Sequence, residues 1–263
     1  MDILVCAKRV PDTSENEVEL NSSGTDIKRG DLVYTVNEAD NYAVEEALRM
    51  VEHAGGEVTV VTVGSEDDEE VLRRELAMGA KHAALISDET IDTGDGKCVA
   101  GVLKAFVLKG HYDVILTGVQ AADGAAQVGG MLAAMLDYPF ASLVNSIDAP
   151  ENGRLKITRE IEGGNKEINE IDLPCVLSIQ TGINEPRYVG MRGIRQVASV
   201  EIPTVDASAL GVDPALLDGA AASVKRSDYF VPILSGGAEI LQGTREDMAA
   251  KLVELIKANG GLQ

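Results

Sequence analysis

Residues 114–136 read VILTGVQAADGAAQVGGMLAAML, and the order of features in that stretch decides the fold. Val114–Thr117 has no polar face, which is what a strand buried on both sides requires. A glycine-rich loop, Gly118 to Gly130, runs into a helical segment over Ala125–Leu136. Strand, glycine loop and helix form the unit from which parallel sheets are built. The alternation extends outward. Ile3–Ala7 (ILVCA), Val58–Val63 (VTVVTV) and Ala83–Ile86 read as further buried strands. Within Asn41–His53, Val44, Ala47, Leu48 and Val51 recur at i, i+3, i+4 and i+7, one helical stripe, with Asn37 and Asp40 placed to cap it. A second helix opens at Ser65 and closes at Gly79, and a third spans Gly94–Leu108. The acids EDDEE at 66–70 suit the positive end of a helix dipole better than they suit a metal. Alternation to about residue 145 predicts a parallel sheet with helices on both faces.

The pattern then changes. Leu155–Glu162 and Lys166–Asp172 flank Gly163-Gly164, an antiparallel hairpin signature, and Cys175–Ile179 reads as one more buried strand. Residues 183–243 are irregular and too long for a compact connection, so they are expected to wrap a partner or carry recognition. The last helix is capped by Thr244 and Asp247, presents Met248, Leu252, Leu255 and Ile256 on one face, and stops at Gly260. The expected fold is α/β: a parallel-sheet, Rossmann-like nucleotide-binding domain (1–182) with a β-hairpin addition. A recognition loop (183–200) and a C-terminal partner-wrapping arm (201–263) follow.

Composition narrows the function. With no Trp and 3% aromatics, the core must rest on Val, Ile, Leu, Ala and Met, and no stacking platform for single-stranded nucleic acid is available. A formal charge of −20 repels phosphate backbones and anionic lipid, which argues against nucleic-acid and membrane partners. Cys6, Cys98 and Cys175 make no CxxC pair and read as buried small hydrophobes in a reducing compartment. The start MDILVCAKRVP does not read as a signal peptide, and no apolar run could span a bilayer, so a cytoplasmic location is expected. His53, His82 and His111 are isolated, and neither HExxH nor GxSxG occurs. Glu160 and Glu162 would share one face of the predicted strand and read as solvated or partner-facing carboxylates. The remaining candidate is the loop at 118–130. Its glycines admit backbone amides to an anion at a helix N-terminus, on the carboxyl edge of the sheet where ligands bind. It is not GxGxxG. GDGK at 94–97 fails as a Walker motif, having the wrong glycine spacing and Cys98 after the lysine. On pattern alone, a tight turn without a ligand is an equal reading of the loop.

A family resemblance covers essentially the whole chain. CAKRV at 6–10, Asn37–Asp40, AVEEALRM at 43–50, ELAMGAKHA at 75–83 and GVQAADGAAQVGG at 118–130 occur in the order found in electron transfer flavoprotein beta subunits. TREIEGG at 158–164 and LPCVLSIQTGINEPRY at 173–188 complete the series, and the latter is its most specific signature. The tail MRGIRQVAS and the terminal helix resemble members that serve trimethylamine-type dehydrogenases. The resemblance implies an electron carrier working as an alpha–beta heterodimer. FAD would be held mainly by the alpha subunit, and a structural AMP would be buried in the beta subunit. Implied AMP contacts are Cys6, Asn37, Glu38, Ala39, Asp40, Val63, Gly118, Val119, Gln120, Ala121, Ala122, Asp123, Gly124, Gln127 and Val128. Met191 would be the apolar anchor in a partner pocket, or else a methionine of the chain's own core, and Glu160 would touch the flavin domain. Implied partners are the alpha subunit, a flavin-containing dehydrogenase as donor, and a quinone reductase or other acceptor. AQVG at 126–129 instead resembles flavin-bifurcating members, which hold a second FAD at the AMP site. A stand-alone adenine-nucleotide module is the reading from another class.

Overall fold

In the computed structural model the described residues are 1–122, 124–217, 222, 224, 229–232, 237–238 and 240–261. The chain begins with β1 (Asp2–Cys6), the short ribbon β2 (Arg9–Pro11) and β3 (Tyr34–Val36), and helix α1 (Glu38–Ala54). Then come β4 (Glu57–Val63), α2 (Glu69–Met78), β5 (His82–Ile86), α3 (Gly96–Val107), β6 (Val114–Gly118) and α4 (Val128–Leu136). β7 (Phe140–Ile147), β8 (Arg154–Ile161), β9 (Asn165–Asp172) and β10 (Cys175–Ile179) follow. The chain ends with α5 (Met191–Val197), β11 (Thr204–Val205), α6 (Ala207–Leu210), α7 (Pro214–Leu217) and α8 (Arg245–Ala258). The main sheet is ordered β11-β5-β4-β1-β6-β10-β7-β8-β9. Its strands run parallel from β11 to β7, and β8 and β9 add an antiparallel hairpin.

The two-residue period of the central strands divides the interior into two cores. Ile3, Val5, Val58, Val60 and Leu116 face α1 and α2, while Leu4, Val61, Ile115 and Val176 face α3 and α4. Leu4, Ile115, Leu116 and Leu177 are fully buried, each worth about 1.5–3 kcal/mol in apolar transfer. α2 starts after a capping box in which Asp68 accepts from the Ser65 amide at 2.6 Å and from its hydroxyl at 2.8 Å. α7 reaches the second core because Gly101 leaves room on α3 for the Leu216 side chain.

Four expectations need correction. Residues 183–243 are not simply irregular: α5 packs on α2, β11 extends the sheet beside β5, and α6 and α7 cover α3. Ile202, Ala207, Leu210 and Val212 are buried there, so residues 202–212 pack into the chain's own core. β7, with its mixed burial, was not anticipated as a strand; it separates β10 from the hairpin. Glu162 sits in the turn Glu162–Gly164 rather than on the strand, so it forms no strand-face pair with Glu160. Asn37 precedes α1, yet neither it nor Asp40 caps the helix with a side chain.

Glu75 on α2 is fully buried, and neither of its carboxylate oxygens has a hydrogen-bond partner among the described residues. Burial raises its pKa to about 8; the nearby Asp40 charge adds to the rise and Arg74 opposes it. The folded chain therefore binds a proton at Glu75 that the unfolded chain releases above about 4.5, and stability falls as pH rises from there to about 8. Glu75→Gln removes this slope. We expect it to melt several degrees above the wild type at pH 8 and level with it at pH 4.5, as calorimetric melts across that range will check.

Candidate functional site

The strand order reverses between β1 and β6, and the carboxyl ends of β1, β4 and β6 open there into a cleft of about 310 Å³. Its floor is apolar, built from Val61, Val63, Val99 and Leu103 with the Cys6 side chain. One wall is the loop from Gly118 to Gln127, and the opposite wall is Thr93, Gly94 and Gly96 at the start of α3. The N-termini of α3 and α4 converge on it: a Cβ on Gly96 would lie 3.0 Å from the Gln127 side-chain oxygen. Two helix N-termini and a glycine-bearing loop make that end of the cleft favourable for an anion. Lys8 also lines it.

Asp40 organises the site. It is buried at 6% exposure, and its carboxylate accepts the Lys8 amide at 2.9 Å and the Gly118 amide at 2.9 Å. Burial pushes its pKa up to about 7, while the Asn37 side chain, those two amides and the Lys8 charge pull the other way. Gly118 must be glycine. A Cβ there would lie 2.3 Å from the Asp40 carboxylate and 2.9 Å from the Ala39 backbone. Asn37 donates to the Gln120 carbonyl at 2.9 Å, Val119 donates to Ile179 at 2.9 Å, and the Gln120 amide group donates to Gly124 at 3.0 Å. Beneath α4, the buried hydroxyls of Thr117 and Ser178 lie 2.8 Å apart. The Cys6 thiol is held above its ordinary pKa by burial and by the Asp40 charge, which keeps it a neutral wall group rather than a nucleophile.

Most of the residues singled out in the sequence share this cleft: Cys6, Asp40, Val63, the backbone turn from Gly118 to Ala121, Gly124, Gln127 and Val128. Asn37, Glu38, Ala39 and Ala122 face a second cleft of about 430 Å³ on the other side of Val119–Ala121, beside Thr13 and Thr181. Asp123 lies outside the described residues. Met191 and Glu160 line neither cleft. Met191 is 66% exposed at the start of α5, and Glu160 pairs with Lys166 near the hairpin tip. Sequence reasoning missed Lys8 and the wall at 93–96. GDGK held the clue, a pair of glycines at a helix start after a parallel strand. Among the described residues there is no cluster of three potential metal ligands and no helix long and apolar enough to cross a membrane.

Comparison with known proteins places this geometry in a family. Residues 26–210 match the electron transfer flavoprotein domain. The chain is similar to the electron transfer flavoprotein subunit beta of Methylophilus methylotrophus, 35% identical over 260 residues that cover 97% of this chain and 98% of that protein. It is also similar to subunit CarD of the caffeyl-CoA reductase-Etf complex of Acetobacterium woodii, 36% identical over 98% of each chain. The acryloyl-CoA reductase electron transfer subunit gamma of Anaerotignum propionicum is 31% identical over 97% of each chain. With the family's domain across its centre and full-length kinship to beta subunits, the chain belongs to the electron transfer flavoprotein family.

Proposed function

We propose that this chain is the beta subunit of a heterodimeric electron transfer flavoprotein, holding a structural AMP and forming the platform for FAD bound mainly by the alpha subunit. The observation that carries the AMP reading is the first cleft. Its apolar floor suits an adenine, and its two helix N-termini and glycine-bearing loop suit a phosphate. About 310 Å³ lies at the small end of ligand sites, which run to roughly 1,000 Å³, and favours a mononucleotide. The chain's part would be positional: Asp40 and Asn37 hold the loop, Val61 and Leu103 receive the base, and the start of α4 faces the phosphate. FAD, when bound, supplies the reversible uptake of electrons. Glu160 on the exposed hairpin would meet the flavin domain, and the exposed apolar face of α8, with Leu252, Leu255 and Ile256, would pack on the alpha subunit. Electrons would come from a flavin-containing dehydrogenase docking at Met191 and leave to a quinone reductase or another acceptor. A second FAD in place of AMP is the other reading, favoured by AQVG at 126–129 and by the kinship to subunits of CoA-ester reductase systems.

The deciding experiment is to co-express the chain with its alpha subunit, denature the purified pair and count every released nucleotide. One FAD and one AMP are expected. Two FAD would replace the AMP reading with the second one, and tight flavin binding by the isolated chain would overturn the platform.

Gly118→Ala forces the β6 end away from Ala39 and Asp40. We expect AMP in the purified pair to fall well below one equivalent with FAD retained; full AMP content would show that the close approach is dispensable.

Met191→Ala removes an exposed side chain, so melting and reduction by dithionite stay as in the wild type. Truncating an interface anchor costs about 2 kcal/mol, roughly thirtyfold in affinity. Titration with the donor dehydrogenase checks this, and unchanged affinity would sink the anchor assignment.

A further inference from the structure

The segment carrying Met191 has little to hold it in shape from within. α5 has seven residues, none of them buried, and isolated helices that short are unstable in water. Gly190 precedes it without a side-chain cap, and Ala198 ends it in helical conformation, with no glycine turn to satisfy the last carbonyls. The Val197 carbonyl takes the Val200 amide at 3.0 Å, and the side-chain partners at this end come from α2. Arg73 Nη1 donates to the carbonyls of Val197 at 2.9 Å, Ala198 at 3.1 Å and Val200 at 3.3 Å. Its Nε donates to Glu69 Oε1 at 2.7 Å, one helical turn back, which fixes the guanidinium plane. The other end of the segment is tied to α1. The Arg187 guanidinium grips Glu45 at 2.8 and 3.1 Å and Glu52 at 3.0 Å, and Asn184 donates to Glu46 at 3.0 Å. Between these ties, Met191 and Ile194 stand out to solvent.

We propose that Arg73 is the positioning residue of the docking segment: its guanidinium caps the C-terminal end of α5 and so holds Met191 in the orientation in which a donor protein meets it. This rests on the reading of Met191 as the docking residue. Serving carbonyls through Nη1 while Nε is held by a carboxylate is a task for arginine, since lysine has one nitrogen to divide between the two. Unlike Met191, Arg73 would touch no partner. Its effect would be to keep α5 formed before the encounter, so that docking does not have to order it.

The test uses the alpha–beta pair with Arg73→Ala, Arg73→Lys, Met191→Ala and the double variant Arg73→Ala/Met191→Ala. Hydrogen exchange in the peptide spanning 191–200 should rise about tenfold in Arg73→Ala and by less in Arg73→Lys, with β1 and β6 unchanged. With the dehydrogenase that reduces the wild-type pair, KM should rise about tenfold at nearly constant kcat, and dithionite reduction should not change. In the Met191→Ala background the same Arg73 change should add little, because both act through one contact. Should Arg73→Ala also loosen β1 and β6, Arg73→Lys alone decides, read on the same peptide. Unchanged exchange in 191–200 overturns the proposal, as does an Arg73 effect on KM that persists undiminished without Met191. A Met191→Ala pair with wild-type KM overturns the docking reading instead, and raised exchange would then still support the cap.

Discussion

The structure turns on one buried carboxylate. Asp40 sits in the first turn of α1, at the point where the sheet reverses direction, and accepts one amide from the chain leaving β1 and one from the end of β6. Two adjacent parallel strands and the helix above them are thereby fixed at a single group. A hydrogen bond contributes about 0.5–1.5 kcal/mol net, and up to about 3 kcal/mol when the acceptor is ionised, whereas an unpaired buried carboxylate would cost more than it returned. The tie works only because Gly118 has no side chain, which lets β6 approach the α1 backbone. The loop that walls the cleft begins at that glycine, so the shape of the proposed nucleotide site is set by the same contact that closes the sheet.

The central architecture was legible because its strands carry no polar face. Ile3–Val5, Val58–Val63, Val114–Thr117 and Cys175–Ile179 read as strands covered on both sides, and they are buried except for the half-buried Thr59 and Val63. β7 escaped because FASLVNSI is half covered and carries an asparagine and two serines, so neither alternation nor a continuous apolar run marks it. The elements between 191 and 217 are two to seven residues long, too short for periodicity to register. Their burial comes from docking on distant parts of the chain, which a local pattern does not encode. Glu75 is different. It falls four residues after Val71 and three after Leu72, on the buried stripe of α2, so its placement could be read, though not its lack of a partner.

The glycine loop and the sequence around Asn37 and Asp40 pointed to the sheet edge at which the cleft opens. The side-chain roles were not readable. Asn and Asp at a helix start favour capping, but here both side chains turn across the fold to Gln120, Lys8 and Gly118, where long-range acceptors and donors outweigh the local ones. The wall at 93–96 was overlooked because the glycines of GDGK were weighed only against a phosphate-loop spacing. The use of Gly96 is geometric: it brings the start of α3 against Gln127.

The short strand β11 has a consequence of another kind. The chain leaves the middle of the sheet at Ile179, passes over α1 and α2 with α5, and is recaptured at the edge where Leu85 donates to Pro203 and Ser87 to Val205. Residues 180–203 are therefore a closed excursion, sewn into the same sheet at both ends. A segment tethered in this way behaves as an exchangeable cassette. Its exposed side chains at 188, 191 and 194 can be exchanged for others while the buried ladder that closes the loop, and the cleft across the sheet, keep their geometry.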